Sequence, residues 1–215
     1  MLYKLSSFTQ LVPEHKLLPN LYFYYYLYYI KTMAQNYTST WGTAQALQAL
    51  HAGTAGWQYE CFVTGVWTNI LDYYFQVNQN TGYMLAHEWY YSEGAATGKA
   101  DICLFKVVNT TKGVFPVPFL IVECKASTVH FNQGLHKAHQ QLENGLESVS
   151  LANMEIALDR LPRVVGIVGV GTVFDIKEVI KDQIEYVKTT KDLIQNTSDL
   201  HDFLVKLRTD IDKTF

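Results

Sequence analysis

Two acids and a lysine stand inside apolar runs where a buried strand has no ordinary use for charge. The first run reads Gly98-Lys99-Ala100-Asp101-Ile102-Cys103-Leu104-Phe105, and the second reads Phe119-Leu120-Ile121-Val122-Glu123-Cys124-Lys125. Both are of strand length and partly β-branched. Asn109-Thr110-Thr111-Lys112-Gly113 between them is a polar cluster ending in Gly, which reads as a turn. The expected unit is an antiparallel hairpin. If Asp101 faces Glu123, the midpoint of the pairing is residue 112, inside that turn. Directly opposed residues share a face with Cβ atoms about 5 Å apart, and Lys125, two along from Glu123, shares it too. Two carboxylates would hold Mg²⁺ or Mn²⁺, which keeps several waters and completes its shell from a substrate phosphate. Such an ion polarises the phosphoryl oxygen and lowers the pKa of a bound water. A neighbouring lysine can orient or deprotonate that water, or steady the developing charge.

Asp101, followed after a hairpin-length gap by Glu123-Cys124-Lys125, resembles the PD-(D/E)XK signature of the restriction-endonuclease-like nucleases. The resemblance covers the chain from about Trp57 to about Gly171, with Ala100 where the formal motif has proline. It implies an α/β fold with an αβββαβ core, a mixed central sheet flanked by helices, and an active site at the end of the hairpin. It implies Mg²⁺ or Mn²⁺ held by Asp101 and Glu123, with the Cys124 carbonyl as a further ligand. Lys125 would position or activate the water. The family's first helix often carries a glutamate near the metal, and Glu60 is the matching residue. The reading of Glu60 as an ordinary acid favoured near a positive helix N-terminus stands ahead of that one. The RecB-like branch places a glutamine on the helix after the motif; Gln141 matches, with Gln140 beside it. The implied activity is metal-dependent hydrolysis of phosphodiesters in nucleic acid, with DNA the expected substrate and a homodimer compatible with many nucleases of this fold. The alternative is an inactive nuclease-fold module that binds nucleic acid or protein. In a further reading, Lys99, Asp101, Glu123 and Lys125 form only cross-strand ion pairs.

Other elements must position these groups. From Trp57 to about Phe75, apolar residues Tyr59, Phe62, Val63, Val66, Ile70 and Tyr74 recur at helical spacing. Tyr83 to Tyr91 reads as a strand in which His87 and Glu88 are exposed or within reach of a substrate. A helix is expected from about Leu135 to Leu151, with Lys137, Gln140, Gln141 and Asn144 on one flank. His130, His136 and His139 make a zinc site imaginable, but no Cys or further His supports it. Arg163 to Val170 is apolar enough for a strand buried on both faces. Gly169-Val170-Gly171-Thr172 lacks the lysine and spacing of a phosphate loop and reads as a turn. From Ile176 onward, Val179, Ile180, Ile184 and Val187 predict a helix, and Leu200 to Leu207 a second one; Lys181, Lys188 and Lys191 on this stretch fit a solvated face.

The chain has 215 residues, enough for one domain with an extension. Residues 1–55 read as an aromatic-rich extension and connector, and residues 56–215 as the nuclease-like domain. Seventeen basic against 20 acidic residues, a net charge of −3, argue against a histone-like binder. A metal ion and a local basic patch still permit a nucleic-acid partner. Cys61, Cys103 and Cys124 are odd in number and suggest no disulfide framework, which fits an intracellular protein of the cytoplasm or nucleus. The run from Leu21 to Ile30 is too short to cross a bilayer as a helix, and no integral membrane segment is expected.

Overall fold

The computed structural model describes residues 36–52, 59–77, 81–93, 96–126, 131–155, 163–180 and 183–215. The aromatic run at residues 21–30 lies outside them, as do His130 and Lys181. A 3₁₀ turn at Tyr37–Ser39 leads into helix α1 (Trp41–His51) and then helix α2 (Glu60–Phe75). Strands β1 (Tyr83–Glu93), β2 (Ala96–Thr110) and β3 (Gly113–Lys125) follow, then helix α3 (Phe131–Glu155). The chain closes with β4 (Val165–Val170), β5 (Val173–Ile180), β6 (Gln183–Asp192) and helix α4 (Thr197–Thr214).

The six strands lie in sequence order in one sheet, β1-β2-β3-β4-β5-β6. β3 and β4 are parallel and every other neighbouring pair is antiparallel. A parallel pair needs a crossover connection, and α3 supplies it. From α2 to β4 the described order is therefore helix, three strands, helix, strand. Alternating side chains divide two cores between the faces of the sheet. Ile102, Leu104, Val122, Ile167 and Ile176 share one core with residues of α1, α2 and α4. Cys103, Ile121 and Val168 share the other with Ala138, Leu142, Leu146 and Val149, the apolar stripe of α3. All six residues of β4 are buried, as expected for a strand covered on both faces.

Close backbone approach lets α3 and α2 press on the sheet. A Cβ on Gly166 would come within 2.7 Å of Leu142, and one on Gly145 within 2.7 Å of Ile121. Gly169 lies under the Trp67 indole, with no room for a side chain. Gly171 has φ +59° in the tight turn from β4 to β5, so of the two glycines read as a turn only Gly171 serves it, and Gly169 lies inside β4.

Two expectations are corrected. The described residues between Ile176 and Val187 are not helical but lie in β5 and β6, and the Leu200–Leu207 segment does lie in a helix. On β5, Phe174 and Ile176 face the larger core, while Asp175 and Lys177 are also buried and reach α3. Asp175 pairs with His139 at 2.8 Å, and Lys177 pairs with Glu143. The residues read as a connector are also structural: Tyr37, Leu47 and Leu50 are buried in the larger core, and α1 packs on α2.

Candidate functional site

The hairpin of β2 and β3 ends where the two strands part. Ile102 pairs with Val122, Cys103 with Ile121 and Leu104 with Leu120. One step further the same register sets Asp101 opposite Glu123. There the ladder is replaced by a side chain, because the Cys124 amide donates to Asp101 Oδ2 at 2.7 Å. A carboxylate holding a backbone N–H is fixed in place at the strand end.

Lys125 gathers the rest. Its Nζ lies 3.7 Å from Asp101 Oδ2, 3.9 Å from Glu123 Oε2 and 3.7 Å from Glu60 Oε2, and it donates to the Cys124 carbonyl at 2.8 Å. Glu60 arrives from the first turn of α2, where a carboxylate suits the positive helix end. The structure thus brings together Asp101, Glu123, Lys125, Glu60 and the Cys124 carbonyl. The Cys124 thiol itself is buried, and burial pushes its pKa well up.

Glu123 is the least comfortable of the group. Its side chain is 1% exposed, and Oε1 is buried without a hydrogen-bond partner. Burial, then the Asp101 charge, push its pKa up to about 8, with Lys125 pulling the other way. Three carboxylates face one ammonium here, so the cluster is short of positive charge. Among the described residues, no group of three or more His, Cys, Asp or Glu side chains is placed to hold a metal ion. A pair of acids with an orphaned buried oxygen nevertheless fits Mg²⁺, which commonly binds through one or two carboxylates and completes its shell with water and phosphate.

Gln141 does not join the cluster through its side chain, which is exposed on α3, as is that of Gln140. The α3 stripe that meets the sheet runs through Ala138 and Leu142, and residues 140 and 141 fall to its side. What ties Gln141 to the site is its carbonyl, which accepts from the Tyr91 hydroxyl at 3.1 Å. Tyr91 is buried, and burial, then the Glu123 charge, push its pKa up to about 12. Nothing in the sequence sets Tyr91 apart from its aromatic neighbours on β1.

An open cleft of about 560 Å³ begins at Glu60 and Asp101 and is lined by Thr64, Gly65, Thr68, Asn69, His87 and Lys99, among others. His87 and Glu88 do reach a cavity at the site. Glu88 holds a left-handed backbone, φ 51°, within β1 and pairs with Lys99 at 2.8 Å. A non-glycine residue in that region inside a strand is uncommon and often marks a functional site. Thr64 and Thr68 went unremarked in the sequence, although their four-residue spacing from Glu60 puts all three on one stripe of α2. Of the histidines weighed for zinc, His139 is engaged by Asp175 and His136 is exposed.

No protein-family model, curated protein or solved structure matches the chain. Among the described residues, no helix is long and apolar enough to cross a membrane.

Proposed function

We propose that the chain is a metal-dependent nuclease of restriction-endonuclease-like fold that hydrolyses phosphodiester bonds, with DNA as its substrate. One observation carries the reading: Asp101, Glu123 and Lys125, 24 residues apart end to end in sequence, converge at one ammonium nitrogen, with a buried Glu123 oxygen left without a partner. The element order from α2 to β4 supports it, since helix, three strands, helix, strand is the order the resemblance implies. Asp101 and Glu123 would hold Mg²⁺ or Mn²⁺, with the Cys124 carbonyl and, at the rim, Glu60 as further oxygen donors. The ion supplies Lewis-acid polarisation of the phosphoryl oxygen and an acidified water. Lys125 orients the attacking water through Nζ and offsets negative charge that builds on the phosphoryl oxygens. Tyr91 and the packed stripe of α3 close the site from the other face of the sheet and keep water from Glu123.

The test is cleavage of plasmid, linear and single-stranded DNA with Mg²⁺ or Mn²⁺. Lys125→Ala and Asp101→Asn are expected to lose about 10²-fold or more in rate, with circular dichroism and melting unchanged in kind. Undiminished metal-dependent cleavage in both variants rejects the assignment. A second reading, a nuclease fold that binds without turnover, is favoured by the absence of a three-ligand cluster among the described residues. It predicts binding with no cleavage under any metal.

A further inference from the structure

The cleft beside the carboxylate cluster does not stop at Asp101. A second hollow, lined by Thr68, Asn69, Asp72, Tyr83, Met84, Leu85 and His87, shares Thr68, Asn69 and His87 with the first. The two form one groove between α2 and the edge strand β1. Twelve residues of helix separate Glu60 from Asp72, which is about 18 Å of groove.

The lining is poor in cations. Among the described residues that line it, Glu60, Asp72, Glu88 and Asp101 are acids and Lys99 is the one lysine. Lys99 is held by Glu88 at 2.8 Å. The threonines are turned toward the helix: Thr64 donates to the Glu60 carbonyl at 3.0 Å and Thr68 to the Thr64 carbonyl at 2.8 Å. Their hydroxyl protons are engaged within the helix and are not offered to a ligand. Four acids against one paired lysine make a surface that accepts hydrogen bonds and repels phosphate. A double helix turns its phosphates outward and needs several basic contacts to be gripped. A single strand can turn its phosphates to water and its bases, with their amino donors, inward. Two exposed aromatic rings stand at the catalytic end. Tyr59, 59% exposed, precedes Glu60, and Tyr90, 72% exposed, is paired in register with Lys99. Exposed aromatic faces are platforms on which unpaired bases stack.

We propose that this groove receives single-stranded DNA, bases inward, and brings one phosphate to the carboxylate cluster, so that the unpaired strand and not the duplex is the substrate. This rests on the nuclease reading above. The experiment compares a 12-nucleotide single strand with the duplex of the same sequence in Mg²⁺, measuring kcat and KM at 50 and 200 mM salt. The expected result is kcat/KM at least tenfold higher for the single strand. Its KM should rise only about 3- to 7-fold across that salt range, as for one or two phosphate contacts on a single strand. Tyr90→Ala, at an exposed position the fold does not need, should raise KM for the single strand about tenfold and leave kcat unchanged. Duplex cleaved as well as or better than single strand, or a loss of about 10³-fold with salt, overturns the proposal and leaves the nuclease reading standing. No cleavage of either DNA overturns both.

Discussion

Replacing Glu123 by Gln tests the electrostatics of the site without changing its shape. The carboxyl is buried, and its pKa is pushed up from 4.5 to about 8 by loss of water and by the Asp101 charge. A raised folded-state pKa means the native protein binds this proton more tightly than the unfolded chain. Its contribution is therefore fully present below about 4.5, falls as pH rises, and is lost through about 8. Between pH 5 and pH 8 the two values correspond to about 3 kcal/mol of stability, at 1.36 kcal/mol per pH unit with rounding at each end. For a chain of this length that is a fall in Tm of about 6–12 °C. Glutamine keeps the volume and carries no titrating proton. Urea unfolding at half-unit pH steps, in chelator, should give a steep loss of stability for the wild type and a profile flatter by about 3 kcal/mol for Glu123→Gln. The reverse effect is expected from a divalent ion, which binds the ionised form and should restore the wild type at pH 8 but not the variant. Superimposable pH profiles for the two proteins would refute the reasoning, because Glu123 would then not be the group that loses its proton against the fold.

Mn²⁺ at 100 times its dissociation constant should stabilise the wild type by about 2.7 kcal/mol, read as a rise in Tm, and should do much less for Asp101→Asn. Gly169→Ala should cost about 1–3 kcal/mol in urea melts, because its Cβ would collide with the buried Trp67 indole. Phe119→Ala, which removes a fully buried ring, should be destabilised by about 3–5 kcal/mol yet cleave when cold, and deleting Phe119, the residue left over at the bulge, should likewise keep Asp101 opposite Glu123 and leave cleavage detectable in the cold.

The hairpin could be read from the sequence because both of its strands are apolar runs interrupted by the charges that matter. The helix from Glu60 and the buried strand ending at Val170 were legible for a similar reason: each carries one unbroken periodicity. β5 and β6 were not. Asp175 and Lys177 are as buried as Phe174 and Ile176, so the alternation that marks a strand is hidden unless His139 and Glu143 on α3 are known to meet them. Their partners lie 36 and 34 residues away, beyond any local window. Gln141 shows a different limit. Spacing placed it on the flank of a helix, but the rotation of that helix against the sheet is set by Leu142 entering the space above Gly166, and this turns the Gln141 side chain outward. The polar groove along α2 was hidden because threonines that bond to their own helix look like any solvated face.

The meeting of Asp101 with Glu123 depends on the ladder stepping past one extra residue. At the turn, Thr110 pairs with Gly113, and Phe105 pairs with Pro118. Continued without interruption, that register would set Asp101 opposite Val122, and Glu123 would project from the other face of the sheet. Between Leu104 and Phe105 the pairing shifts, and Phe119 is the residue left over. Phe119 and Leu120, neighbours in the chain, both pack into the core shared with α2 and α4, as residues at a bulge do. Pro116 and Pro118 lie before Leu120, where β3 has no β4 neighbour, so their missing N–H groups break no ladder on that side. Beyond Leu120 β3 is paired with β4 as far as Lys125, while its ladder with β2 ends at Val122 and the Asp101 carboxylate takes over at the Cys124 amide. The turn fixes one register and the carboxylate end of the hairpin another, and the bulge reconciles them. The irregular step in the strand thus gives the acids a common face, and the regular steps after it hold them there.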